Sequence, residues 1–568
     1  MIRRVLDRLS GERGPLLLAL LAIVISLPAL RLGFQADDHI LALQLERGQP
    51  PWSLFHIGED FLSEGRQVGA MAWWASPELH GRFLRPLSSL GLAALITLWP
   101  AAPWLMLLVN VLAYGACVWL AARIYRQLLP SLGIAALAGL LFAIDDAHAH
   151  SVGWISGSNT LLALLGALAA LFFHLRARET RALWPAIASV LAVAFALGAG
   201  EAGTWVFAYL IAHALVLDDR PLASRLRSLA PHAVLGAVWA AIYVHGHYGI
   251  HHSSWYLELS SPFEVLAHGV LNLPLTVTSL FGPSMIGLAI FEPPWKARVA
   301  LLPIAVGLMW LVWPALWSSK ASRFFGLVTA LAALPAFLTV PQDRVLIGAG
   351  FGAFGWIATA ITQSDALSGI RHRAARVVLR GCHIWMAAVL FIPMLAAQYR
   401  FETGANALRV HAKPDRLLIV INTPIELLAN YTTAMIARES DSVRPPRAIH
   451  QLYSGASELW VERTGERSIE LTATRGWGYV ALERIFCAPQ DMPRAGDERR
   501  VRGMTVRTLE TNEAGMPKRV RFTFDDALEG GPVDWRVWTE QGHPAPFQLP
   551  ALGQRTRIAP MNLFKALP

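Results

Sequence analysis

The chain has 568 residues, 54% of them hydrophobic and 16% charged, with a mean hydropathy of +0.42 and a formal net charge of +9. A soluble chain carries about a quarter charged residues, so this one is not soluble throughout, and its length asks for at least two regions. Two of its three cysteines, Cys117, Cys382 and Cys487, fall in apolar runs, which excludes a disulfide framework and a cysteine-based zinc site; the basic excess suits cytoplasmic loops rather than a nucleic-acid partner.

Apolar runs of about 17–25 residues, the length that crosses a ~30 Å hydrocarbon core, recur up to residue 400 and then stop. Residues 1–400 therefore read as an all-α polytopic membrane domain. Residues 401–568 read as a small β-rich α+β domain outside the membrane. The first span, from Pro15 to about Gly33, follows Arg3, Arg4, Arg8 and Arg13, which places the N-terminus in the cytoplasm. It ends in Arg31-Leu32-Gly33 rather than a small-residue cleavage site, which favours an uncleaved helix over a signal peptide.

Further spans are expected near 103–124, 132–146, 155–174, 183–200, 203–217, 232–247, 299–318, 324–341, 345–363 and 381–398. This path of about eleven crossings puts every basic cluster inside: Arg123 and Arg126; Arg176, Arg178 and Arg181; Arg220, Arg225 and Arg227; Lys320 and Arg323; and Arg371, Arg373, Arg376 and Arg380. Residues 265–290 are read as a re-entrant or interfacial helix, because one more crossing would invert the loops after them. The short apolar stretch 86–100 is expected to lie along the outer surface.

The outer loops collect the chemistry. Loop 34–102 carries Asp37, Asp38, His39, Glu59, Asp60, Glu64, Arg82 and Arg85. The next carries Asp145, Asp146, His148 and His150, then comes a turn at Glu201. A histidine-rich loop holds His245, His247, His251 and His252, followed by Trp255, Tyr256 and Glu258, and a last turn holds Gln342, Asp343 and Arg344. Acidic groups at span ends are costly without a partner or a task, so this asymmetry is the main functional signal.

Adjacent carboxylates such as Asp37 and Asp38 accept a proton, hold a divalent cation or cap a helix. The histidine groups read either as metal ligands or as polar loop. No cysteine completes a zinc-type set there, and the i, i+2 spacing of His148 and His150 does not share a helix face. Gly350, Gly352 and Gly355 match a dinucleotide fingerprint but sit inside an apolar span, where small residues serve close helix packing. Arg344, which follows Pro341, either snorkels to headgroups or binds a phosphate bidentately. Asn430-Tyr431-Thr432 fits the N-glycosylation pattern and is read as silent. In the tail, strands are expected over 416–422, 458–463, 468–473, 501–509 and 519–524, with a helix over 425–437.

A first helix followed by an outer loop opening on an acidic pair resembles the GT-C superfamily of membrane glycosyltransferases. Phe34-Gln35-Ala36-Asp37-Asp38-His39-Ile40 resembles its first-loop motif, and Arg85-Pro86-Leu87 with the apolar helix after it resembles its juxtamembrane element. The segment from Leu141 through Asp145, Trp154 and Gly157 to Leu162 resembles bacterial GT-C-like and protein O-mannosyltransferase-like (dolichyl-phosphate-mannose mannosyltransferase-like) proteins. Residues 10–180 carry the likeness, and 180–400 share only the helix pattern. Asp145-Asp146 stands where the family has His-Pro, and the Tyr and Pro that often follow the family's late arginine are missing after Arg344.

The resemblance implies inverting transfer of a sugar from a polyprenyl-phosphate donor to a glycan, lipid or protein acceptor, at the outer face of a bacterial cytoplasmic membrane. Asp37 is the implied base or metal ligand, with Asp38 beside it. Arg82, Arg85, Asp145, Asp146, His148, Glu201 and Arg344 are the implied substrate-binding groups. No fixed cofactor is implied; a magnesium or manganese ion on Asp37 and Asp38 is the metal alternative. The tail is expected to fold separately and to shape acceptor binding. The rival readings are a flippase for a lipid-linked sugar, which would want broken helices and midplane charge, and a catalytically inactive envelope-assembly relative.

Overall fold

The computed structural model describes residues 2–257, 262–285, 294–340, 342–439 and 444–566; Glu258, Pro341 and the last residues of the 265–290 segment lie outside the described residues. Among the described residues, eight helices are long and apolar enough to cross a membrane, or ten if each of two bent pairs is one span. They are apolar on most faces because lipid offers no partner for a backbone amide, so each segment must close its own hydrogen bonds. Leu183–Ala199 and Glu201–Leu217, both expected as crossings, are shorter apolar segments that fall outside this count.

The expected span 132–146 ends as a helix at Ile144 and turns by 42° into Asp146–Val152. The 265–290 segment begins as Pro262–Leu271 and Leu273–Phe281, bent by 53°. The last span continues as helix to Arg409, and the first strand of the tail starts at Leu417.

The glycine fingerprint lies in helix Asp343–Ala366. A Cβ on Gly352 would stand 2.6 Å from the Thr329 amide nitrogen, and one on Gly355 would stand 2.6 Å from the Phe325 ring. Helix Lys320–Ala332 packs against this groove, so the glycines serve helix approach.

The tail holds two sheets. Leu417–Thr423, wholly buried, runs parallel to Ala448–Ser454 through the crossover helix Leu427–Arg438, and Val533–Trp538 lies on its other side, edged by Pro544–Pro546. A strand covered on both faces reads as an unbroken apolar run, as Leu417–Ile421 does. The second sheet is antiparallel, in the order Arg555–Ile558, Leu459–Arg463, Ser468–Ala473, Pro517–Phe524, Met504–Thr511, Glu498–Val501. The expected strand 501–509 is two strands, turning at Arg502-Gly503.

The tail's core is shared with the first outer loop. Trp73 and Trp74, 3% and 0% exposed, pack among Leu452, Trp477 and Phe522. Their indole N–H groups donate to the carbonyls of Leu452 at 2.9 Å and Glu483 at 3.1 Å. The loops also pair with each other: His80–Arg82 is the middle strand between His56–Ile57 and Gly249–His251.

Candidate functional site

The acidic pair opens helix Asp37–Glu46, where the unpaired N–H groups of the first turn favour negative charge. Ala36, just before it, adopts φ 49°, a conformation that an alanine rarely takes, and this turns the chain into the helix. Asp38 holds that turn. Its Oδ2 accepts the Gln35 N–H at 3.0 Å, and its Oδ1 accepts the Ser156 N–H at 2.8 Å. Asp38 is 1% exposed, and burial pushes its carboxyl up to about 7 against the pull of those two amides.

Asp37 is only partly buried, and among the described residues no backbone amide donates to its carboxylate. Its Oδ1 accepts from the Tyr431 hydroxyl at 3.4 Å, the long end of hydrogen-bond range. Burial raises its proton affinity, and the charges of Arg344 and Arg85 together with the Tyr431 hydroxyl oppose that rise. The two neighbours in sequence therefore have different environments: one is locked into the fold and the other faces two arginines and a phenol.

Arg344, at the start of helix Asp343–Ala366, lies over the Trp154 ring at 5.1 Å and donates from Nε to Gln342 Oε1 at 2.9 Å. Among the described residues it has no carboxylate ion-pair partner. The His150 ring lies 5.1 Å from the same Trp154 ring, tilted by 59°. Arg85 is committed. Its Nε donates to Glu201 Oε2 at 2.7 Å, Glu201 Oε1 accepts the Leu84 N–H at 2.9 Å, and the guanidinium lies 4.0 Å from the centre of the Phe83 ring.

The remaining expected residues divide. Arg82 donates to the Gly246 carbonyl at 2.9 Å and covers the Tyr248 ring at 4.4 Å, tying two outer loops together. His148 is 1% exposed. It shares a 2.9 Å hydrogen bond with the Tyr114 hydroxyl and packs edge-on to Phe142, so it belongs to the helix core rather than to an open surface. Asp145 lines a small cavity with Asp343, Ala147 and Leu346, and Asp343 accepts from the Ser284 hydroxyl at 2.7 Å. Asp146 opens the short helical turn beside it.

The residues do not fit a divalent cation on the acidic pair. Both Asp38 oxygens are taken by amides, which leaves Asp37 as a single carboxylate. Among the described residues no group of three or more His, Cys, Asp or Glu side chains is placed to hold a metal. In the histidine loop, His252 instead faces Asp491 at 2.8 Å and Glu78 at 3.4 Å, and His251 stacks on His80 at 4.4 Å. Asn430, Tyr431 and Thr432 are buried in a helix, which closes the glycosylation triplet to any modifying enzyme.

Sequence reasoning missed Tyr431, Trp154 and Ser156 as site components. Trp154 and Ser156 lie within the resemblance segment, but their partners sit on other elements.

No family model matches the chain, and no curated protein is similar to it in sequence. Among solved structures, it is similar to the crystal structure of ArnT from Cupriavidus metallidurans bound to undecaprenyl phosphate, with 13% identity, a TM-score of 0.37, and coverage of 77% of this chain and 90% of that one. The apo state of the same protein gives 12% identity and a TM-score of 0.38, covering 76% of this chain and 89% of that one. Both likenesses are distant.

Proposed function

We propose that the chain transfers a sugar from a polyprenyl-phosphate donor to an acceptor at the outer face of a bacterial cytoplasmic membrane, with Asp37 as the base. The observation that carries this reading is that the Asp37 carboxylate, which among the described residues accepts from no backbone amide, lies in the field of Arg344, an arginine with no carboxylate ion-pair partner among them. In an inverting transfer the acceptor oxygen attacks the sugar's anomeric carbon from the face opposite the lipid phosphate. The acceptor proton goes to Asp37, and the bond to the phosphate oxygen breaks. Arg344 meets the charge that develops on the leaving phosphate. Asp38 holds the helix end that presents Asp37.

Two features support the orientation. The groups expected on the outer loops meet one another: Arg85 binds Glu201, Arg344 lies over Trp154, and both arginines act on Asp37. Arg178 with Asp218 and Lys320 with Asp219 pair among the basic clusters assigned to the inside. Counting Leu183–Ala199, Glu201–Leu217 and the bent 132–152 pair as crossings, and the 262–281 pair as re-entrant, keeps the N-terminus inside and the tail outside. A small cavity lined by Ile40, Leu43, Phe61, Asn430 and Ala434 lies where loop 34–102 packs on the tail helix, and it is the proposed approach for the acceptor.

The test is sugar release from a polyprenyl-phosphate donor by the purified protein, compared with Asp37→Asn. Turnover that disappears in the variant while donor binding persists supports the reading. Turnover unaffected by the change, or none with any polyprenyl-phosphate sugar, overturns it.

A further inference from the structure

The tail reaches the candidate base through one helix. Leu427–Arg438 lies along Asp37–Glu46, and Ile40 and Leu43 of one pack with Tyr431, Ala434 and Met435 of the other. At one end of this contact the Tyr431 hydroxyl meets Asp37. Two turns on, Arg438 donates from Nε to Glu46 Oε1 at 3.1 Å and covers the Phe34 ring at 4.8 Å. His39, between these ends, accepts or donates at 3.0 Å with Glu402 of the last long helix. Tyr431 and Arg438 are seven residues apart, so they share a helix face. The tail helix is therefore clamped to the helix that carries the acidic pair by the Tyr431 hydroxyl on Asp37, by Arg438 on Glu46 and His39, and by apolar packing.

We infer that Tyr431, supplied by the C-terminal domain, is a positioning residue for Asp37, so that the domain completes the catalytic site instead of only shaping acceptor access. The inference rests on the proposed role of Asp37. Tyr431 is 5% exposed and cannot swing into solvent, so its hydroxyl is delivered to one place. A phenol donating to a carboxylate favours the charged form and fixes which oxygen stays open. Among the described residues, the charges that act on Asp37 are those of Arg344, Arg85 and the neighbouring Asp38; in the same turn, His39 meets Glu402 and the tail's Arg438, and the tail's own contact with Asp37 is the neutral Tyr431 hydroxyl. The opposite lone pairs of the Asp37 carboxylate are left for the acceptor proton.

The experiment uses the full-length protein and a polyprenyl-phosphate sugar, with kcat, donor KM and the pH–rate profile measured for wild type, Tyr431→Phe, Met435→Leu and Asp37→Asn. Tyr431→Phe removes one oxygen and keeps the ring against Ile40 and Leu43, and thermal unfolding checks that it folds as wild type does. A hydrogen bond to a charged group predicts a loss of about tenfold in kcat with donor KM little changed. Removing a donor that favours the carboxylate raises its pKa, so the acid limb should move to higher pH. Met435→Leu, in the same contact but away from Asp37, should leave the limb where it is. A wild-type kcat and acid limb in Tyr431→Phe overturns the inference, as does an equal shift in Met435→Leu. Activity retained in Asp37→Asn removes the base itself, whereas loss there with a wild-type Tyr431→Phe sinks only the role of Tyr431.

Discussion

The carboxylate of Asp38 accepts the backbone N–H of Ser156 at 2.8 Å, across 118 residues of chain. Its other oxygen accepts from Gln35, so a single buried side chain ties the first outer loop to the segment entering helix Ser158–Thr180. It holds two loops together, and in the proposed reading the chemistry falls to Asp37.

Asp38→Ala should therefore act first on stability. Two buried amides lose their acceptor, at a cost of about 1–3 kcal/mol each. The unfolding midpoint in detergent should fall clearly, more than for Asp37→Ala.

The raised proton affinity of Asp38 adds a pH signature. Its folded value of about 7 lies above its unfolded value of 3.8, so folding takes up a proton between them. Stability from this group is full below the unfolded value and is lost as pH rises toward about 7. Unfolding measured from pH 4 to 8 should show a slope that is reduced in Asp38→Asn. An unchanged slope would mean that the carboxyl titrates like an exposed one.

Asp37→Asn keeps the size of the side chain and removes its charge. General-base help is worth about 10²–10⁴-fold, so kcat should fall by that order with expression and donor binding intact. Burial raises the Asp37 carboxyl, so the wild-type acid limb should lie above the ordinary carboxylate range.

The two arginines should behave differently. Among the described residues Arg344 has no carboxylate ion-pair partner, so Arg344→Ala should weaken donor binding with a modest effect on folding. Arg85→Ala strands Glu201, whose other oxygen holds the Leu84 amide. It should lower stability by about 1–3 kcal/mol, and Glu201→Gln in the same chain should recover part of that. A double-mutant cycle on unfolding midpoints measures the coupling, and additive losses would count against the pair.

Trp73→Ala should cost about 3–5 kcal/mol, because removing a buried indole leaves a cavity, while the Leu452 carbonyl keeps the Trp477 indole N–H as a donor. For the same reason residues 401–568 expressed without loop 34–102 should expose apolar surface. Dye binding and poor near-ultraviolet dichroism would show this, and a compact fragment with native-like dichroism would refute it.

The sequence by itself determined the helical membrane part, the β-rich tail and the place of the Asp37 pair just after the first apolar span. Each follows from local composition: a lipid solvent demands long apolar segments that close their own hydrogen bonds, and half-buried strands alternate. Tertiary structure decided which member of the pair is free, since Asp38 meets Ser156 and Asp37 meets Tyr431, 394 residues away. It also decided that Arg85 is committed to Glu201 while Arg344 is not, that His148 is core, and that two tryptophans of the first loop complete the core of the tail. Hydropathy along a chain records only how each segment meets its solvent. Which buried donor meets which acceptor depends on how distant elements pack, and one sequence carries no local mark of that.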